Sequence, residues 1–249
     1  MNRYFLEVSY HGARYAGSQV QQNAVTVQAE LEKALNIYFR QPLTLTGSSR
    51  TDAGVHARQN FYHFDITAPV NPKSVYNLNA ILPPDVVIQA FWPVPAAAHC
   101  RFDALAREYE YFIYGFKDPF LADRAWYYPY PLNLPELEKA ASVLKEYVDF
   151  TSFSKRNSQV KTFNCTIQLS EWRREQGVTV FRVRGNRFLR GMVRGLVGTM
   201  LQVGTGKITL KQFRQIIEAR DCTKADFSVP AHGLFLQQVL YPEGYFLTT

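Results

Sequence analysis

Two kinds of apolar spacing alternate along this chain in an order that occurs twice, and that order limits the fold more than any other feature. Tyr4, Leu6, Val8 and Tyr10 alternate with Arg3, Glu7 and Ser9, the period of a strand with one buried face. Val27, Leu31, Ala34, Leu35 and Tyr38 then fall on one helical face, with Thr26 placed to cap the segment and Pro42 to bound it. Positions 43–46 read as a short strand, 47–58 as a Gly, Ser and charge-rich loop, and 59–66 as strand again. Asn71 and Pro72 open a helix carrying Val75, Leu78 and Leu82, which Pro83 and Pro84 stop, and positions 86–92 complete the set as a strand. The order is strand, helix, strand, strand, helix, strand.

It begins again after Pro93, Pro95 and an alanine run. Positions 107–116 read as a strand, and Leu134, Leu137, Ala140, Ala141 and Leu144 lie on a helical stripe. Positions 163–172 and 178–184 are strands joined by a polar turn ending in Gly177, a hairpin signal. Leu189, Met192, Val193, Leu196, Val197 and Met200 mark an amphipathic helix. Thr209 and Gln212 form a capping box for a short helix bearing Phe213, Ile216 and Ile217, and positions 233–240 supply the last strand. The expected class is α+β, with two ferredoxin-like or RRM-like βαββαβ halves. The boundary falls between positions 93 and 106, which gives an N-terminal subdomain 1–103 and a C-terminal subdomain 104–249.

Composition narrows the function classes. With 47% hydrophobic residues and 14% aromatics in 249 residues, the chain is no disordered basic tail, and it can bury roughly 70–75% of its unfolded surface. Cys100, Cys165 and Cys222 are odd in number and outside C-x-x-C spacing, so neither a disulfide framework nor a structural zinc site is expected. The start passes straight into an alternating strand without an apolar signal region, and no apolar run approaches the ~18–20 residues of a membrane span. The expectation is a soluble cytoplasmic protein. Lys plus Arg number 28 against 21 Asp plus Glu, a net charge of +7 with pI near 9.3, which suits a polyanionic partner.

That charge is concentrated. Arg182, Arg184, Arg187, Arg190 and Arg194 lie within positions 182–194 with no acidic residue among them. Arg187, Arg190 and Arg194 are spaced i, i+3, i+7, which would place them on one side of the amphipathic helix, suited to holding phosphates. Lys155, Arg156 and Lys161 form a second basic cluster in a Ser and Asn-containing loop. Gly204, Gly206 and Lys207 resemble a phosphate loop only superficially, since Leu201 and Ile208 replace required residues. The histidines show no ligand spacing, and His99 beside Cys100 does not by itself make a site, so no metal is expected.

The remaining feature is the loop GSSRTDAGVHAR at positions 47–58. An aspartate in a turn ordinarily bonds its own backbone. Asp52, however, is flanked by residues small enough to let a substrate approach, in a loop set on a regular scaffold where functional groups commonly sit. His56 is better suited to packing within the loop than to acting as a base.

Arg50-Thr51-Asp52-Ala53-Gly54-Val55-His56-Ala57 resembles the signature loop of the TruA-type tRNA pseudouridine synthases. Other segments agree in order: Tyr10-x-Gly12 with Tyr15-x-Gly17-x-Gln19-x-Gln21, Arg107-x-Tyr109-x-Tyr111, Asp149-Phe150-Thr151-Ser152-Phe153, Phe188-Leu189-Arg190-x-Met192-Val193-Arg194 with Val197-Gly198-Thr199, and His232-Gly233-Leu234. The resemblance covers nearly the whole chain. It departs at Ser49, where the family usually has glycine, at His11 for a common aspartate, at Ser18 for a common tryptophan, and at Gly195 for a frequent asparagine.

The resemblance implies a pseudouridine synthase fold with a central mixed, mainly antiparallel sheet and a cleft between the halves. It implies isomerisation of uridine to pseudouridine in the anticodon stem-loop of tRNA, at positions 38, 39 and 40, with no cofactor and no metal, by a homodimer. Asp52 corresponds to the essential aspartate, for which attack at C1′, attack at C6 and removal of a sugar proton are all open. Arg194 corresponds to its charged partner, and Tyr109 to the tyrosine that stacks on the uracil and is a candidate base for the C5 proton. Arg50 corresponds to the residue that intercalates and stabilises the flipped nucleotide. Arg50, Arg58, Arg187 and Arg190 would contact RNA. Two other readings explain part of the sequence: a non-catalytic protein of two RNA-recognition halves, and a phosphate-transferring or hydrolytic enzyme with Asp52 as nucleophile, chemistry that usually requires magnesium.

Overall fold

The computed structural model describes positions 1–156 and 160–246. The chain divides into two compact units, one built from Met1–Leu105 together with the segment from Leu236, the other from Ala106–Phe235.

In the first unit β1 (Asn2–Tyr10) runs antiparallel to both β3 (His56–Ile66) and β4 (Val86–Val94), and β2 (Thr46–Gly47) pairs with β3. Helices α1 (Val27–Phe39) and α2 (Ser74–Ile81) accompany the sheet. Thr26 caps α1 through its side chain, and Val27, Leu31, Ala34 and Leu35 are its buried stripe, as the spacing predicts. β1 differs from the one-faced strand expected. Phe5 is as fully buried as Leu6 because its ring packs against His63, Tyr241, Tyr245 and Phe246, so the second face is covered too. The strand expected at 43–46 is reduced to Thr46–Gly47. Leu43 and Leu45 are buried, yet their N–H groups donate to Asn36 Oδ1 (2.6 Å) and Glu32 Oε1 (2.8 Å) on α1 in place of a strand partner. β3 begins three residues earlier than expected, at His56.

In the second unit β8 (Val178–Gly185) lies between β5 (Ala106–Tyr114) and β7 (Ile167–Glu175), antiparallel to both. The short β6 (Trp126–Tyr127), which no periodicity announced, pairs parallel with β5 and makes the sheet mixed. Residues Gln176 (φ 47°) and Gly177 (φ 82°) form the two-residue turn between β7 and β8, both left-handed as a I′ hairpin requires. β7 starts at Ile167 and not at 163 because the residues before it pair elsewhere. Phe150 N–H donates to Phe163 O, Cys165 N–H to Val148 O, and Asp149 bridges Asn164.

Helix α3 (Leu134–Val143) packs on β7, and α4 (Met192–Gly204) and α5 (Leu210–Glu218) pack on α3 and on each other, α5 closed by the Thr209–Gln212 capping box. Gly191 (φ 73°) sets the start of α4 at Met192. Leu189, Arg187 and Arg190 therefore lie in a turn before the helix, and the expected single helical face bearing Arg187, Arg190 and Arg194 does not form. A left-handed residue interrupts the continuous 3.6-residue period that the spacing assumed.

The final strand, β9 (Leu234–Leu240), starts in the second unit and ends in the first, where Val239 N–H donates to Gln59 Oε1 at 3.1 Å. The architecture is α+β with mixed, mostly antiparallel strands. Among the described residues no helix is long and apolar enough to cross a membrane.

Candidate active site

The loop between β2 and β3 carries Asp52 and is fastened from both sides by buried polar side chains of its own unit. Ser18 Oγ accepts the Thr51 N–H at 2.8 Å, while the Ser18 N–H donates to Thr51 O at 3.1 Å. Tyr10 and Thr51 share a hydroxyl hydrogen bond of 2.8 Å. Asn60 Nδ2 donates to Ser49 O at 2.9 Å and to Tyr10 Oη at 3.3 Å. Burial pushes the Tyr10 phenol above its ordinary pKa, so it stays protonated within this group. Ser18, Ser49, Thr51 and Asn60 are all buried, whereas Asp52 is half-buried. Its backbone carbonyl accepts the Val55 N–H at 3.1 Å, closing a tight turn that Gly54 N–H ties to Tyr15 O.

Gly12 explains part of the N-terminal motif. A Cβ there would lie 1.9 Å from Val55 O, so only glycine lets the two backbones pass, and its N–H donates to His56 Nδ1 at 3.0 Å. His56 is fully buried, as expected of a loop-packing residue. Ser18 and Ser49, two of the four departures from the family pattern, are both in the set that fixes the loop. Arg50 is exposed in the loop, and Arg58 is exposed on β3.

In the second unit Tyr109 sits on β5 opposite Val183 of β8, and its ring meets Phe188 edge-on at 5.1 Å. Arg107 donates to Asn186 O at 3.1 Å, so β5 holds the turn 186–191 at two places. Arg194 lies in the first turn of α4. Its Nε donates to Val229 O at 2.8 Å and its Nη2 to Phe227 O at 3.5 Å, while Tyr111 donates to Pro230 O at 2.7 Å. Burial raises the Tyr111 phenol well above its usual range, with the Arg194 charge pulling the other way.

The arginine stretch is divided by the fold. Arg182 and Arg184 reach Glu108 across β5 and β8, at 2.8 and 2.6 Å, so an acid distant in sequence offsets two of the five. Burial pushes the Glu108 carboxyl up, and the two guanidinium groups outweigh it, holding its pKa below the ordinary value. Arg187 and Arg190 stay in the turn, half-buried and exposed. Lys155 N–H donates to Arg190 O at 3.0 Å, and its side-chain stem runs within 3.0–3.1 Å of where a Gly191 Cβ would be. The two basic clusters that are separate in sequence therefore meet at this turn. Arg156 and Lys161 flank positions 157–159, the part of that loop outside the described residues.

Sequence reasoning singled out Asp52, Arg50, Arg58, Tyr109, Arg187, Arg190 and Arg194. The structure groups the first three in one unit and the other four in the second. It adds Tyr10, Ser18 and Asn60 as the fasteners of the Asp52 loop, Phe188 as the support of Tyr109, and Phe227 and Val229 as the supports of Arg194. The glycine and tyrosine motif at 10–17 was the available signal for the first group. Among the described residues, His63, His99 and Cys100 have ligand atoms close enough to share a metal ion.

A family model described as tRNA pseudouridine synthase matches residues 146–242, the part of the chain that holds Arg187, Arg190 and Arg194. A tRNA pseudouridine synthase A of Parabacteroides distasonis is 45% identical over 248 residues, 99% of this chain and 98% of its own length. That of Porphyromonas gingivalis is 43% identical over 252 residues, covering 99% of this chain and 100% of its own. That of Anoxybacillus flavithermus is 38% identical, with 97% and 99% covered.

Proposed function

The chain belongs to the tRNA pseudouridine synthase family, and from that premise we propose that Asp52 is the essential carboxylate of a uridine isomerisation in the anticodon stem-loop of tRNA, at positions 38, 39 and 40. The enzyme is an isomerase that converts uridine to pseudouridine in tRNA. The reaction breaks the N1–C1′ bond and forms C5–C1′; a proton leaves C5 and N1 gains one, so atoms balance without a redox partner. That balance calls for a carboxylate at the sugar or the ring and a base for C5.

The observation that carries the assignment of Asp52 is its setting. It is a half-buried carboxylate whose neighbours on the chain are locked by the buried hydrogen bonds of Ser18, Tyr10 and Asn60. A reacting group must be held in position to within a fraction of an ångström, and the buried bonds of its neighbours restrain the backbone that carries Asp52. Arg194 supplies the counter-charge for Asp52, a role supported by the resemblance. Its side chain is pre-oriented by the carbonyls of Val229 and Phe227.

Tyr109 stacks on the flipped uracil and serves as the base for C5; its ring is already steadied by Phe188. Arg50 stabilises the flipped nucleotide, and Arg58, Arg187 and Arg190 hold phosphates of the stem-loop. Reading several neighbouring positions suits recognition by shape and backbone more than by base edges. The working enzyme is a cytoplasmic homodimer, and sedimentation of the pure protein as a monomer would refute the dimer.

The test is release of tritium from tRNA transcripts labelled at uridine C5, with a chelator present. Release that maps to the anticodon stem and is lost in Asp52→Asn, with tRNA binding retained, supports the assignment. Full release by that variant would overturn it, and release from other tRNA regions alone would overturn the substrate positions.

A further inference from the structure

His63 is far in sequence from His99 and Cys100, yet β3 brings it beside them in the first unit. Its Nδ1 lies 3.1 Å from Cys100 Sγ and accepts the Cys100 N–H at 3.4 Å. The rings of His63 and His99 meet edge-on at 4.7 Å, and the three donor atoms all lie within 4.8 Å of one another. Cys100 and His63 are buried and His99 is half-buried.

The scaffold behind them is firm. The Phe102 and Asp103 N–H groups donate to His99 O, the His99 N–H donates to Asp103 Oδ2 at 2.8 Å, and Tyr245 also donates to that carboxylate. Tyr241 donates to Cys100 O.

We propose that His63, His99 and Cys100 form a binding site for one divalent transition ion of the zinc class. Two imidazoles and a thiol are the donor set such an ion selects, with three protein ligands and a fourth position for water on the half-exposed side of His99. Around a tetrahedral ion with ordinary bond lengths, ligand atoms are separated by about 3.3–3.6 Å. The Cys100–His63 separation is already close to that, and the wider ones close with small side-chain rotations. On binding, the Cys100 S–H bond breaks, the sulfur bonds the metal and the proton goes to solvent. The thiol now lies 3.1 Å from Thr46 O, the carbonyl at which that proton points. Filling the site would staple the strand that follows the Asp52 loop to the turn after β4. The inference stands apart from the catalytic assignment, since none of the three residues takes part in it.

The experiment is a titration of chelator-stripped, full-length protein with Co²⁺. One equivalent should give a thiolate-to-cobalt charge-transfer band in the near ultraviolet together with the visible bands of a four-coordinate ion, and Zn²⁺ should displace it. Cys100→Ser should abolish the charge-transfer band, while Cys222→Ser should leave it. His99→Gln, at a half-exposed position that does not threaten the core, should weaken affinity at least about tenfold while uridine isomerisation continues. Absence of the band in the wild type overturns the site. So does a band that survives Cys100→Ser, or an affinity unchanged in His99→Gln. Any of these would mean that the cluster is only a hydrogen-bonded packing group.

Discussion

The Asp52 loop and the arginine turn at 186–191 are both short, glycine-containing and charged, but they are held in opposite ways. The first is tied through buried side chains, with Ser18, Tyr10 and Asn60 satisfying its backbone and hydroxyl groups. The second is held by backbone carbonyls and one aromatic edge, through Arg107, Lys155 and Phe188, and leaves Arg190 exposed to solvent. The contrast suits the roles proposed for each. A reacting carboxylate works only at a defined distance and angle, whereas a cation that meets a phosphate acts over several ångströms and can keep its rotamer freedom.

The largest effect should come from Asp52→Asn, which keeps shape and removes charge. Tritium release should fall at least about 10³-fold, equivalent to about 4 kcal/mol, with tRNA affinity in a filter-binding assay little changed. An equal loss of binding and turnover would place Asp52 with the phosphate-holding cations and erase the contrast.

Next is Glu108→Gln, which releases Arg182 and Arg184 from their shared acid. Losing charged hydrogen bonds at this buried position should lower stability by about 2 kcal/mol at neutral pH, read by thermal or urea unfolding. The pH dependence has a definite sign. The folded-state pKa lies below the ordinary value of 4.5, so the contribution is complete above that value and is lost as pH falls through the folded-state pKa. The deficit of the variant should therefore narrow in acid; a deficit independent of pH would mean that the ion pairs contribute nothing.

Ser18→Ala leaves the buried Thr51 N–H without its acceptor. Turnover should fall about tenfold with KM nearly unchanged, the signature of a loosened but accessible carboxylate. A rise in KM alone would indicate that Ser18 serves RNA binding instead. The smallest effects belong to Arg187→Gln and Arg190→Gln. Each should weaken tRNA binding a few-fold and reduce the slope of log affinity against log salt by about one, with turnover at saturating tRNA preserved. Binding insensitive to salt in the wild type would sink the electrostatic half of the comparison.

Much of this was legible in one dimension. The strand of Tyr4, Leu6, Val8 and Tyr10, the Thr26 cap, the Thr209–Gln212 box and the Gln176–Gly177 turn all stand where spacing puts them, because each depends on residues within one or two turns of backbone. Asp52, Arg50 and Arg58 were visible through the motif at 47–58, Tyr109 through the tyrosine strand motif, and Arg187, Arg190 and Arg194 through the arginine-rich stretch and the motif at 188–194. Where local reading missed, a distant partner had taken over. Helix α1 claimed the N–H groups of Leu43 and Leu45, positions 148–150 paired with the backbone at 163–165, and Gly191 halted a period that would otherwise have run through Arg187.

The sequence by itself determined the α+β order of elements, the basic character and the family, since periodicity, caps and contiguous motifs are properties of neighbouring residues. Only the tertiary structure decided that Ser18 holds Thr51, that Glu108 absorbs two arginines, that Lys155 joins the arginine turn, and that His63 meets His99 and Cys100. Each of those meetings is set by strand pairing or chain packing between positions remote in sequence, and a shift of one residue in a strand would turn every side chain to its other face.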